Sequence, residues 1–178
     1  MTEVEGVSTG IVVRPERPDD VEAIDEIVGA AFSAEFGTTT EVALVRTLRD
    51  RGELIPDLTL VAEVDGRVVG HVAFSEVTLD GQRTGGLGLG PVAVAPELQR
   101  SGIGSTLITT ALDRAARDGW QFVVVLGHPS YYPRFGFRPA AALGVTGEYA
   151  DDDAWMVLAL GDRPIPAGHA RYCSAFDD

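Results

Sequence analysis

The residue pattern predicts a single mixed α/β domain, and three observations carry that reading. Apolar residues recur at helical spacing in three segments, at 21–32, 39–52 and 103–116. β-Branched and apolar runs at 58–64 and 68–74 flank Asp65-Gly66, a pair whose backbone preferences suit a tight hairpin. Gln121 to Leu126 is a near-continuous apolar run of strand length, the pattern of a strand buried on both faces.

In chain order, residues 1–10 are polar and acidic and are expected to form a flexible arm. The domain is expected to span 11–160, with 161–178 as a tail packed on it. Ile11 to Arg14 reads as a short strand closed by Pro15. Arg17-Pro18-Asp19-Asp20 reads as a helix start, because acidic residues in the first turn suit the positive end of the helix dipole. Val21, Ile24, Val28 and Ala31 form its apolar stripe up to Phe32; Val42, Val45 and Leu48 form that of a second helix, which stops near Gly52. Asp80-Gly81 marks a second turn, ahead of the glycine-rich run Gly85 to Val94. A long helix opens at Gly102, carries Ile103, Leu107, Ala111 and Ala115 on one stripe, and ends before Gly119. After a loop from His128 to Pro139, residues 154–160 read as a further strand, and the tail from Gly161 reads as irregular.

Composition narrows the function. The chain has 178 residues, 45% of them apolar and 23% charged, enough to bury a core. All fourteen Lys and Arg residues are arginine, which excludes P-loop and Schiff-base chemistry. A net charge of -13 argues against nucleic acid as a partner, since phosphates need a basic face. The lone Cys173 has no partner for an internal disulfide, and three scattered histidines offer no metal-ligand spacing, so no metal is expected. No signal peptide and no membrane-spanning run is visible, so a cytoplasmic protein is expected, monomer or homodimer, with no membrane partner.

The informative segment runs from Val92-Ala93-Val94 to Gln99-Arg100-Ser101-Gly102-Ile103-Gly104-Ser105, a strand followed by a glycine-bearing turn that opens the long helix. Free amides at a helix start attract an anion, and glycines let it approach the backbone, which suits a pyrophosphate. Residues 81–140 hold six arginines against three acids, a local +3 in a chain otherwise at -16. The alternative Gly88-Leu89-Gly90-Pro91-Val92-Ala93 fits a dinucleotide fingerprint literally, but no helix follows it. Pro91 has no amide for a neighbouring strand, so the chain there must lie at an edge, bulge, or part from its neighbour.

Gln99 to Gly104 resembles the Q/R-x-x-G-x-G/A motif of the GNAT superfamily of acyl-CoA-dependent N-acetyltransferases, and Tyr132-Pro133-Arg134-Phe135-Gly136-Phe137 is similar to its Y-x-x-x-G-F segment. The resemblance runs from Val13 to the strand ending at Leu160. It implies a mixed, mostly antiparallel sheet, splayed between the parallel strands at 87–94 and 121–126, with helices on both faces. It further implies acetyl-CoA as cosubstrate, its pantetheine arm against Val92, Ala93 and Val94 and its pyrophosphate on Gln99, Arg100, Ser101, Gly102, Ile103, Gly104 and Ser105.

The implied reaction moves an acetyl group to a primary amine of a small molecule or protein, by direct transfer in a ternary complex. Tyr132, rather than Tyr131, matches the family's general acid, and a phenol pKa of about 10 is nearly balanced against a departing thiolate. A backbone amide of Val92 or Ala93 would polarise the thioester carbonyl. Many members carry a Glu on the strand before the turn; residues 86–94 have none. A base could then act through water chains ending on Glu35, Glu76 or, best placed just past the buried strand, His128, although the more ordinary role of such a histidine is to hold its loop by hydrogen bonds. Arg134 and Arg138 could reach phosphates or cap the loop, and Asp151-Asp152-Asp153 could attract a cationic acceptor. The missing strand Glu also motivates an acyl-CoA-binding regulator without turnover.

Overall fold

The computed structural model describes residues 10–148 and 153–178; the expected N-terminal arm, apart from Gly10, and Asp151 and Asp152 lie outside the described residues. Strand β1 (Val12–Pro15) precedes helices α1 (Val21–Phe36) and α2 (Thr40–Asp50). Strands β2 (Leu60–Val64), β3 (Arg67–Leu79) and β4 (Gln82–Val94) lead to helix α3 (Ile103–Arg117) and β5 (Phe122–Leu126). Short strands β6 (Arg138–Pro139) and β7 (Val145–Thr146) are followed by β8 (Trp155–Ala159) and β9 (Gly168–Arg171).

Both Asp-Gly pairs form the hairpin turns that their residues favour. Asp65 and Gly66, and Asp80 and Gly81, all have positive φ, which sets β2 against β3 and β3 against β4 in antiparallel register. The main sheet runs β1-β2-β3-β4-β5-β8-β6, with β4–β5 its parallel pair; β9 adds to β3 and pairs in parallel with β7.

Strand alternation sorts side chains to two faces. Leu60, Ala62, Val72, Phe74, Val123 and Val125 pack on one face with Ile103, Leu107 and Ala111 of α3. Val61 and Ala93 turn to the other face and meet Ile24 and Val28 of α1. Further along that second face, Val77, Phe122, Val124 and Val157 are covered by Trp155, Ala140 and Ala170. Helices therefore cover both faces, but α1 and α2 cover only part of theirs. The tail is more ordered than its composition suggests: it supplies β9 and a 3-10 turn at Ser174–Asp177, and the loop after β5 contains a 3-10 turn at Tyr132–Phe135. Tertiary pairing overrides the irregular reading, because β9 finds a free length of β3. No described helix is long and apolar enough to cross a membrane.

Candidate active site

The site starts at Pro91. Val72 opposes Val92 while Phe74 opposes Leu89, so β4 sets Gly90 and Pro91 against a single residue of β3. This bulge reverses the alternation: Leu87 and Leu89 before it, and Val92 and Val94 after it, all turn towards α3. On the other edge, β4 pairs with β5 only from Gly86↔Phe122 to Gly88↔Val124. Beyond Gly88 the two parallel strands part, so the chain around Pro91 shows two of the outcomes its missing amide left open, a bulge against β3 and a separation from β5.

Amide parity then decides which groups face the gap. Ala95 N–H donates to Val69 O of β3 at 2.8 Å, so the amide two residues earlier, on Ala93, points to β3 as well. Ala93 is thereby removed as the carbonyl-polarising donor, and its side chain is buried against α1. Val92 and Val94 face the other way. The Val94 carbonyl takes a 3.2 Å hydrogen bond from Gln99 Nε2, which ties the turn to the strand end.

The turn itself is built for backbone exposure. Ser101 Oγ donates to Leu98 O, and Arg100 and Gly102 both adopt positive φ, at 62° and 90°. A Cβ on Gly102 would point into open space. The first helical hydrogen bond is Thr106 N–H to Gly102 O, so the amides of Ile103, Gly104 and Ser105 have no acceptor one turn earlier in α3. Ser105 Oγ lies 3.2 Å from the Tyr131 hydroxyl, and the Arg134 guanidinium stacks 4.3 Å above the Tyr131 ring while Nε donates to Tyr131 O. Arg134 thus caps its loop beside the turn; Arg138 is exposed on β6.

On the opposite side of the gap lies a cavity of about 560 Å³. Leu89, Gly90, Pro91 and Val92 form its floor, and Leu126, Gly127, His128 and Tyr132 one wall. The Tyr132 ring lies against Gly127, where any Cβ would sit 2.1 Å from it, so only glycine admits this packing. Phe135 and Phe137 hold the ring edge-on or tilted. Burial, then the nearby Tyr131 and Glu35, push the Tyr132 phenol well above its ordinary value. The hydroxyl is therefore firmly protonated but a weaker acid than the expected balanced donor, because the phenolate loses solvation.

The structure brings together two of the three candidate proton acceptors. His128 Nε2 and Glu35 Oε1 are 2.7 Å apart in the cavity wall, on elements far separated in sequence. Glu76 is elsewhere, 3.6 Å from Arg83. His71 is fully buried, its Nε2 3.0 Å from Glu16, which also accepts from Arg49; His169 Nδ1 lies 3.2 Å from the Thr146 hydroxyl. Burial pushes the Cys173 thiol up to about 11, and Cys173 does not line this cavity. Among the described residues no cluster of three His, Cys, Asp or Glu side chains is arranged to hold a metal ion.

Sequence reasoning missed the remaining walls, formed by Phe32, Phe36, Glu41 and Leu44 from α1 and α2, and by Trp155, Tyr172 and Phe176. One signal was present in the sequence: Phe36 continues α1 one turn past the core stripe; in the structure the residue is 57% exposed.

Residues 12–140 match the family model described as an acetyltransferase (GNAT) domain. An N-acetyltransferase from Escherichia coli K12 called uncharacterized, YjhQ, is 38% identical over 144 residues, covering 76% of this chain and 80% of its own. A GNAT family acetyltransferase from Brucella melitensis, solved in complex with acetyl-CoA, superposes with a TM-score of 0.82 at 36% identity, covering 95% of this chain and 99% of its own. YhbS from Escherichia coli, solved with CoA, gives a TM-score of 0.88 at 31% identity, covering 96% of this chain and 94% of its own. With its splayed sheet, glycine turn and matched domain, this chain belongs to the GNAT family of acetyl-CoA-dependent acyltransferases.

Proposed function

We infer that the protein transfers the acetyl group of acetyl-CoA to a primary amine by direct attack in a ternary complex. The observation that carries this is the convergence of Tyr132, Val92 and the His128–Glu35 pair on one cavity where β4 and β5 part. The glycine turn opens on the α3 side of the sheet, so donor and acceptor approach from opposite sides. The residues fit the donor: outward amides at 103–105, an open cradle at Gly102 and a strand edge at Val92 match a pyrophosphate followed by an amide-bearing arm.

Acetyl-CoA supplies an acyl thioester, whose C–S bond breaks as the C–N bond forms. Val92 N–H holds the carbonyl oxygen as negative charge develops there. His128, oriented by Glu35, takes a proton from the amine. An alkylamine of pKa about 10.4 is neutral only about once in 2,500 molecules at pH 7, a cost of roughly 4.6 kcal/mol that any route from the ammonium carries, and His128 gives the proton its path out of the site. Tyr132 hands its proton to the departing sulfur and recovers one from the nitrogen. The ammonium loses two protons in all: one ends on CoA, and the other leaves through His128.

Thiol release from acetyl-CoA with a panel of amines tests the reading. Initial rates with both substrates varied should give intersecting lines rather than the parallel lines of an acyl-enzyme route. CoA binding without release by any amine would favour the regulatory reading, which the absence of a Glu in 86–94 motivates.

A further inference from the structure

We propose that the acceptor is an arylalkylamine, with one cationic amine, a flat aromatic body and no carboxylate. This rests on the transferase reading and deepens it. Three features of the cavity point the same way.

First, two aromatic pairs, each four residues apart in sequence, contribute to its walls from segments near opposite ends of the chain. Phe32 and Phe36 of α1 have ring centroids 5.7 Å apart, and Tyr172 and Phe176 of the tail 4.5 Å apart, both tilted by little more than 30°. Trp155 adds a fifth ring. Such walls accept a flat ring by offset and edge contacts.

Second, hydrophobic exposure concentrates here. Among the described residues the exposed large hydrophobics are Val12, Phe36 and Leu126, and the last two both line this cavity. An aromatic left in water beside a cavity marks a surface that a ligand covers.

Third, among the described residues the lining carries Glu35, Glu41, Glu148 and Asp177 against a single guanidinium, Arg171, with His128 beside Glu35. That balance attracts an ammonium and disfavours a carboxylate. A diamine offers the aromatic walls no flat apolar body, so it forgoes the ring contacts they provide. The reacting amine belongs at the His128–Glu35 end, beside Tyr132, and the ring between the two aromatic pairs.

The test titrates CoA-loaded protein calorimetrically with phenethylamine, n-hexylamine, diaminobutane, phenylalanine and a lysine-bearing peptide, and measures thiol release from acetyl-CoA with each. Phenethylamine should bind at least tenfold more tightly than diaminobutane or phenylalanine. Phe36→Ala, at an exposed position that leaves the core intact, should raise KM for phenethylamine by roughly tenfold and raise the KM for hexylamine several-fold less. Tighter binding of the diamine, the amino acid or the peptide would overturn the assignment, as would an equal effect of Phe36→Ala on ring-bearing and linear amines. Selective phenethylamine binding without thiol release would uphold the ligand class and overturn the transferase reading instead.

Discussion

In the proposed mechanism Tyr132 and His128 carry the chemistry, and their environments make different predictions. Because burial raises the Tyr132 phenol above its ordinary value, the proton-donating form persists through neutral and moderately alkaline pH. No loss of rate below about pH 10 should therefore trace to its ionisation. Tyr132→Phe should lower kcat by roughly 10²–10⁴-fold with little change in the KM for acetyl-CoA, measured by thiol release. An alkaline limb present in wild type and absent in Tyr132→Phe would contradict this. His128→Ala should also slow turnover at pH 7, and the deficit should shrink with rising pH as the amine deprotonates unaided. Glu35→Gln should give a smaller loss, and in the double variant the two effects should not add, since Glu35 acts through His128.

The turn before α3 separates two glycines by what a Cβ would meet. Gly102 sits at φ 90°, so Gly102→Ala should cost about 1–2 kcal/mol of stability and weaken CoA binding at least tenfold, because the new methyl points into the cradle. Gly104 is helical, and a Cβ there meets Tyr131 Oη at 3.4 Å, an ordinary contact. Gly104→Ala should thus stabilise by about 0.5–1 kcal/mol with CoA binding retained. Urea unfolding and calorimetry would separate the two.

Across the molecule, ion pairs tie distant elements together. Arg14 of β1 holds Asp20 ahead of α1 at 2.7 Å and Glu63 of β2 at 2.9 Å. The Arg14 guanidinium lowers the Asp20 carboxyl below its ordinary value of 3.8, against the opposing effect of burial. A carboxylate lowered in the folded state contributes stability above its unfolded pKa, and that stability drains away as pH falls through the folded value. Wild type should therefore lose more stability than Arg14→Met between pH 6 and the acid range, so the gap between them should narrow on acidification; a constant gap in urea titrations would refute the linkage. The tail is held similarly, with Ser174 Oγ and Ala175 N–H donating to Glu53 and Arg51 pairing with Asp178. Glu53→Ala should loosen the wall formed by Tyr172 and Phe176, raising the acceptor KM while CoA affinity holds.

The sequence by itself determined the α/β class, both Asp-Gly hairpins and the strand–turn–helix of 92–105, and it marked Pro91 as an edge, a bulge or a parting of strands. Each follows from local rules: backbone preferences, apolar period, and an amide that proline lacks. Only the tertiary structure decided that Val92 rather than Ala93 faces the gap, because amide direction depends on the register with β3. It also decided that His128 meets Glu35 while Glu76 pairs elsewhere, and that rings at 32 and 36 share a cavity with those at 172 and 176. Such pairings join segments that no local rule connects, and they exist because burying both faces of one sheet folds the two ends of the chain over the same opening.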